Sequence, residues 1–286
     1  MLLFFNIKKY RSCFVLPLHA EWGRMAFISA VVVLILASCE LIDVHPYDGK
    51  IDGETAVNVH NIEEIERMLD GRSEICFAVI SDTQRWYDDT EDEVASINRR
   101  GGIDFVIHCG DMTDFGLTKE FEWQRDILNK LDVPYVTILG NHDCIGSGKE
   151  VFRSMFGREN YSFRAGPTRF VCLDTNALEY DFSNPVPDLD FIRNFAGDIS
   201  VKNTVMVMHV CPFSEEFNDN VADAFNYYIH NLTNPLFCLY GHGHKTEVDD
   251  LFGDGLLYFQ ITSAKGRQYY VFTVTEEGYD YEVVDY

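Results

Sequence analysis

Asp, Asn and His recur in short clusters at five points of the chain: Asp82-Thr83-Gln84, Gly110-Asp111, Gly140-Asn141-His142-Asp143, His209 and Gly241-His242-Gly243-His244. These side chains offer carboxylate oxygen, amide oxygen and neutral imidazole, the donors that borderline divalent metals accept. Four of the nine histidines fall in the clusters, so metal binding is the chemistry to expect of them. Glycines at 110, 140, 241 and 243 let the backbone turn sharply and bring adjacent side chains inward. In Gly241-His242-Gly243-His244, two imidazoles two residues apart point to one side of an extended segment.

The elements that must position these residues are legible from periodicity. ICFAVIS (75–81), DFVIHCG (104–110), PYVTILG (134–140), RFVCLDT (169–175), TVMVMH (204–209) and PLFCLYG (235–241) read as buried strands. DTEDEVASINRR (89–100) and TKEFEWQRDILNKL (118–131) read as helices; the first is acidic early and basic late, as the helix dipole prefers. YYVFTVTEEGYDYEVVDY (269–286) alternates and turns at Glu277-Gly278, a β-hairpin pattern. Alternation of strand and helix followed by a strand-rich end predicts an α/β fold, a mixed β-sandwich flanked by helices. Ligands in open α/β sheets bind at the carboxyl ends of strands, so clusters at five strand ends can meet at one point.

Composition is globular, with 47% hydrophobic residues, 22 Phe and 15 Tyr. The net charge of −23 argues against a nucleic-acid polymer as partner. Most of the carboxylates are expected simply to keep the surface soluble. Cys76, Cys109, Cys144, Cys172, Cys211 and Cys238 include several inside apolar runs, which predicts buried free thiols instead of a disulfide framework.

Residues 25–38, MAFISAVVVLILAS, carry an apolar stretch short of the roughly 20 residues a spanning helix needs. It fits the apolar core of a secretory signal, with Met25 an alternative start. Leu36-Ala37-Ser38-Cys39 resembles a bacterial lipobox. That resemblance implies cleavage before Cys39, a diacylglycerol on its sulfur, and a protein tethered to a membrane of the bacterial cell envelope. An ordinary signal peptide and an uncleaved anchor helix are the alternatives. Residues 39–72 read as a tether and lead-in, with a short helix in NIEEIERMLDG that presents Ile62, Ile65 and Met68 on one face. Residues 73–286 read as one catalytic domain.

The five clusters, in order over most of residues 75–250, resemble the calcineurin-like metallophosphoesterase family, whose signature is DxH, GDxxD, GNH[DE], a later His and GHxH. Here the strings read Asp82-Thr83-Gln84, Gly110-Asp111-Met112-Thr113-Asp114, Gly140-Asn141-His142-Asp143, His209 and Gly241-His242-Gly243-His244. The resemblance implies an α-β-β-α architecture and a phosphoester hydrolase that uses two divalent ions (Mn, Fe, Zn or Mg). Asp82 and His244 would hold the first ion and Asn141, His209 and His242 the second, with Asp111 bridging. His142 would lie beside the phosphate, oriented by Asp143, while Asp114 would be structural. A hydroxide formed between paired ions would attack phosphorus in line. Gln84 departs from the pattern, because the family usually has His there. An amide oxygen is a weaker ligand than imidazole, and an oxygen-rich site favours Mn or Mg. Arg85 and Trp86 are candidate contacts for the leaving group, and His108 reads as a core histidine. Small-molecule, glycan or lipid phosphoesters, mono- or diester, are the expected substrates. A catalytically weak or inactive binding protein that keeps the fold is the alternative, and Gln84 is the residue that raises it.

Overall fold

The computed structural model describes residue 25 and residues 27–32, 49–177 and 185–286. The chain divides into two compact units, Met1–His45 and Pro46–Tyr286. In the first, residue 25 and residues 27–32 are helical. Cys39 and the lipobox lie outside the described residues. No helix among the described residues is long and apolar enough to cross a membrane.

Two mixed sheets face each other in the second unit. The first contains β1 (Glu74–Ile80), β2 (Phe105–His108), β3 (Tyr135–Thr137), β10 (Gln268–Thr275) and β11 (Tyr279–Asp285), in the order β11-β10-β1-β2-β3. The second has the order β4-β5-β6-β7-β9-β8, with β4 (Tyr161–Ala165), β5 (Thr168–Leu173), β6 (Asn203–Met208), β7 (Pro235–Tyr240), β8 (Glu247–Asp249) and β9 (Leu257–Gln260). β1, β2 and β3 run parallel, as do β5, β6, β7 and β9, so their carboxyl ends lie along common rims. Strands β10, β4 and β8 are antiparallel to their neighbours.

Side-chain alternation explains the layering. Ile75, Phe77 and Val79 of β1 point into the inter-sheet core, while Ala78 and Ile80 join a second cluster on the other face. The inter-sheet layer is a pack of rings: Phe77 stacks on Phe105 at 5.1 Å, Phe163 on Phe170 at 4.8 Å and Phe237 on Phe272 at 4.6 Å. Each such ring contributes roughly 1.5–3 kcal/mol by leaving water. The outer faces are covered by helices α2 (Tyr87–Arg100), α3 (Thr118–Leu128) and α4 (Gly148–Met155) on one side, and by α6 (Ala222–His230) with the short α5 (Leu189–Arg193) on the other. The result is the four-layered α/β sandwich that the alternation predicts.

The lead-in helix, α1 (Val57–Met68), is part of this packed body. Asn58, Ile62, Ile65 and Leu69 form its inward stripe, and Met68 is 39% exposed. The stripe therefore runs through Leu69, not through Met68 as the apolar spacing suggested. The Asn58 side chain donates to Thr137 O at 2.7 Å and accepts from Thr137 N at 3.0 Å, completing the exposed edge of β3. The cysteines in the described residues are free thiols, with Cys109, Cys172 and Cys238 buried.

Candidate metal centre

The loops after β1 and β2 are zipped together by their backbones. Asp82 N donates to Gly110 O at 3.0 Å, and Gln84 N to Asp111 O at 3.1 Å. The end of β7 joins through Gly241 N, which donates to His209 O at 3.1 Å. Close approach excludes side chains here. A Cβ on Gly140 would overlap the backbone N and Oδ1 of Asp111, and one on Gly241 would overlap Ser81 Oγ. Four of the clustered polar residues sit in left-handed backbone: Asp82 (φ 53°), Asp111 (φ 58°), His242 (φ 67°) and His244 (φ 53°). That conformation costs a residue with a Cβ roughly 1–2 kcal/mol and persists only where surrounding contacts over-determine it.

All seven candidate ligands meet at one place. His209 Nε2 lies 2.9 Å from Asn141 Oδ1 and 3.3 Å from Asp111 Oδ2. His242 Nδ1 lies 3.2 Å from the same Asn141 oxygen. Gln84 Nε2 donates to Asp111 Oδ2 at 3.4 Å, so this carboxylate stands between the two halves of the cluster. Asp82 Oδ1 is 3.0 Å from His244 Nε2. Ligand atoms of Asp82, Asp111 and His244 all lie within 4.8 Å of one another. Asp82, Gln84, Asp111 and His209 are almost wholly buried, whereas the His244 side chain is half exposed and marks the open side.

The donor set fits divalent cations on its own chemistry. His209 Nδ1 is 2.7 Å from Cys109 O, so Nδ1 is the nitrogen that donates to the backbone and Nε2 is the one turned toward the cluster. Nε2 faces two oxygens, an arrangement that a proton on this nitrogen or a metal ion in its place reconciles. The oxygen Gln84 Oε1 is buried without a hydrogen-bond donor. Buried polar atoms of this kind require an explanation, and a bound cation is one. Charge distribution agrees. Burial alone would lower the His209 pKa, but the Asp111 carboxylate outweighs it and raises the ring to about 10. Burial alone would raise Asp111, and His209 outweighs it and holds the carboxyl below its ordinary value. His244 is raised chiefly by its hydrogen bond to Asp82, and His242 is lowered by burial and by His209.

His142 borders the cluster, with its backbone N donating to Asp111 Oδ1 at 3.0 Å. Its ring is oriented by the Asp114 backbone, because Nδ1 lies 2.9 Å from Asp114 O. The expectation that Asp143 orients His142 is corrected by this geometry. Asp143 is turned away in the 3-10 turn His142–Cys144 and collects N–H donors from Met112 (3.2 Å), Thr113 (2.9 Å) and Gly140 (3.0 Å). It clamps the β2 and β3 loops together. Burial and the Asp111 charge raise its pKa to about 6.

Arg85, also in left-handed backbone (φ 58°), pairs with the Asp114 carboxylate at the mouth. The Trp86 ring carries the Lys265 ammonium 4.5 Å from its centroid. Glu216 escaped the sequence reading, and His108, read as a core histidine, also supports the cluster. Glu216 accepts from Asn141 Nδ2 at 3.2 Å and so directs the amide oxygen toward the imidazoles. His108 is a buried core residue, but its Nε2 meets Thr83 Oγ1 at 2.9 Å and its Nδ1 accepts from Gly110 N at 3.1 Å, bracing both carboxylate loops. Burial lowers its pKa to about 4, so it is neutral there. Glu216 lies in an aperiodic loop that gives no signal; His108 was detectable only as a polar residue in an apolar strand.

The chain is 26% identical over 118 residues to a 3',5'-cyclic-nucleotide phosphodiesterase of Nostoc sp. (strain PCC 7120), a match spanning 40% of this chain and 44% of that one. Its fold resembles GAP50, the anchor in the inner membrane complex of Plasmodium (TM-score 0.57, 12% identity, 75% of this chain and 85% of that one). It also resembles a dimetal phosphatase from Danio rerio (TM-score 0.54, 13% identity, 74% of this chain and 99% of that one). Residues 76–246, from the middle of β1 to just past His244, match the calcineurin-like phosphoesterase family. With the five polar clusters drawn to one point at the strand ends of such a sandwich, this chain belongs to the calcineurin-like phosphoesterase family.

Proposed function

We propose that this chain hydrolyses a phosphoester at a two-metal centre. Asp82, Gln84 and His244 would hold one ion, Asn141, His209 and His242 the other, and Asp111 would serve both. The single observation that supports this most is the His209 contact. A ring nitrogen turned inward by the Cys109 carbonyl is aimed at Asn141 Oδ1 and Asp111 Oδ2, where an ion would replace its proton. Mn is favoured, because Gln84 replaces an imidazole donor with an amide oxygen.

When bound, divalent ions supply charge neutralisation at the phosphoryl oxygens and acidify the attacking water. The chain's own residues do the rest. Asp111 and Asn141 fix the separation of the two halves. His142, anchored at Nδ1 by Asp114 O, has Nε2 left to carry a proton to a phosphoryl or leaving oxygen. Arg85 and Trp86, directly after Gln84, line the mouth where a leaving group would depart. The reading as a non-catalytic protein rests on Gln84 alone. It is weakened by the buried Gln84 Oε1, which lacks any other partner and suits a ligand role.

Export and lipid attachment at Cys39 are proposed with this function, and place the substrate among small-molecule, glycan or lipid phosphoesters outside the cytoplasm. Labelled lipid incorporation abolished by Cys39→Ala would test the anchor. The function is tested by phosphate-ester hydrolysis with Mn, using p-nitrophenyl phosphate, its bis ester and a cyclic nucleotide; the last is suggested by the Nostoc relative. Turnover of at least one, abolished by Asn141→Ala, supports the reading; turnover indifferent to that change refutes it.

A further inference from the structure

One segment braces the proposed centre without contributing a ligand. The stretch from Thr262 to Gly266 contains the 3-10 turn Ala264–Gly266. Ala264 N donates to Asp82 O at 3.4 Å, and Thr262 Oγ1 donates to His244 O at 3.1 Å. The turn therefore touches the main chains of two candidate ligands of the same half-site. Both are held in left-handed backbone, at φ 53° each. Such conformations relax unless neighbouring contacts hold them.

Besides the backbone bonds Gly266 N to Ser263 O at 2.7 Å and Arg267 N to Ala264 O at 3.0 Å, a side chain holds the turn. The Tyr286 hydroxyl donates to Ala264 O at 2.8 Å, and Ala264 is wholly buried. Tyr286 is fixed in turn by Arg267. Its N donates to Arg267 O at 3.1 Å, Arg267 Nε donates to Tyr286 O at 2.8 Å, and the guanidinium lies 4.8 Å from the ring centroid. The guanidinium also reaches α2, with Nη1 2.8 Å from Asp89 and Nη2 2.9 Å from Asp92. Glu93 of the same helix is buried beside Tyr286. Burial raises the Glu93 pKa well above its ordinary value.

We infer that Tyr286 is a positioning residue for the Asp82–His244 half of the centre, acting through the Thr262–Gly266 turn. This rests on the two-metal reading above. Removing the hydroxyl takes away one of the two donors to Ala264 O, leaving Arg267 N at 3.0 Å, and frees the turn to shift. Asp82 O and His244 O lose their fixed partners, and one ion of two is bound more weakly. Groups that orient metal ligands from outside are worth about 10–100-fold in affinity.

The test is Mn(II) titration of the full chain, followed by the electron paramagnetic resonance signal of free Mn, beside thermal unfolding. Tyr286→Phe removes only the hydroxyl. Tyr269→Phe is the matched control: a buried tyrosine with its ring 5.9 Å from Tyr286, whose hydroxyl lies 3.3 Å from Ser96 Oγ. The expected result is about 10-fold weaker binding of one ion in Tyr286→Phe, the other unchanged, and both unchanged in Tyr269→Phe. Thr262→Val cuts the turn from His244 O on its other side and should weaken the same ion, which keeps the test open should Tyr286→Phe fail to fold. Wild-type affinity for both ions in the variants, or equal weakening of both ions, overturns the inference. A wild-type chain that binds fewer than two ions overturns the two-metal reading itself, a distinct outcome visible before any variant is made.

Discussion

Nε2 of His209 faces Oδ1 of Asn141 at 2.9 Å, while the other ring nitrogen is engaged by Cys109 O at 2.7 Å. Without a metal, a proton is the cation that reconciles them, and Asp111 raises the His209 pKa to about 10 to keep it there. With a metal, that proton must leave. Mn binding near pH 7 should therefore release about one proton from this ring. Affinity should rise with pH across the range below about 10, because the metal-free ring holds its proton throughout that range. Calorimetry in buffers of different ionisation enthalpy measures the release. Binding with no proton release would mean that His209 is not displaced by the ion.

Gln84→His should tighten one ion by about 10-fold, and Zn more than Mn, since imidazole is the better donor for Zn. Competition with a chelating dye measures both. Gln84 is buried beside Asp111, so an imidazole there enters the same cluster. An unchanged affinity order would show that position 84 does not touch a metal.

Gly140→Ala should cost about 1–3 kcal/mol of stability, the usual range for overpacking. The new Cβ would overlap the Asp111 backbone N and Oδ1, and the Asp111 carboxylate is pinned by His142 N. Activity should fall more steeply than stability, because the residue displaced is the shared carboxylate. Gly278→Ala, with nothing within 4 Å of the new Cβ, is the control and should be near neutral. Denaturant melts and initial rates on the same samples test this.

Glu93→Gln should match the wild type in acid and exceed it in stability as the pH rises. Burial raises the folded-state pKa of Glu93 well above its ordinary value. The sign follows: a raised carboxyl favours the fold at pH below its unfolded value, and that contribution is lost as pH climbs through the folded value. Glutamine copies the neutral form at every pH. Melting temperatures of the two proteins in chelator from pH 5 to pH 9 should diverge upward; parallel curves would mean that Glu93 is ionised in the fold or that its titration is the same in both states.

Much of this was legible in the sequence because strand ends carry the chemistry. Apolar runs ending in Asp82, Asp111, Asn141, His209 and His242 located five loops, and the parallel strands bring those loops to common rims. Asp143 shows where reading by adjacency stops. Next to His142 in sequence, it is rotated away by a 3-10 turn, and a backbone carbonyl that has no residue-type signal, Asp114 O, takes the orienting role. Trp86 reads in sequence as a candidate contact for the leaving group, and Lys265, distant in sequence, lies against its ring. Strand β8, Glu247-Val248-Asp249, has one apolar residue between two acids and so no apolar run to register. The helix α1 was recognised, but its register shifted to Leu69 because Asn58, a polar residue, forms part of the inward stripe.

Counting metal on the chain bears most directly on the proposed chemistry. The purified protein would be saturated with Mn, desalted, and assayed for bound ions by mass spectrometry and for phosphate-ester hydrolysis in the same tube. About two ions per chain are expected in the wild type. Asn141→Ala should keep about one, with hydrolysis down by more than about 100-fold, beyond the range for an outer partner. A wild type that turns over substrate with one ion or none, or an Asn141→Ala protein that retains both ions and full rate, would contradict the two-metal centre.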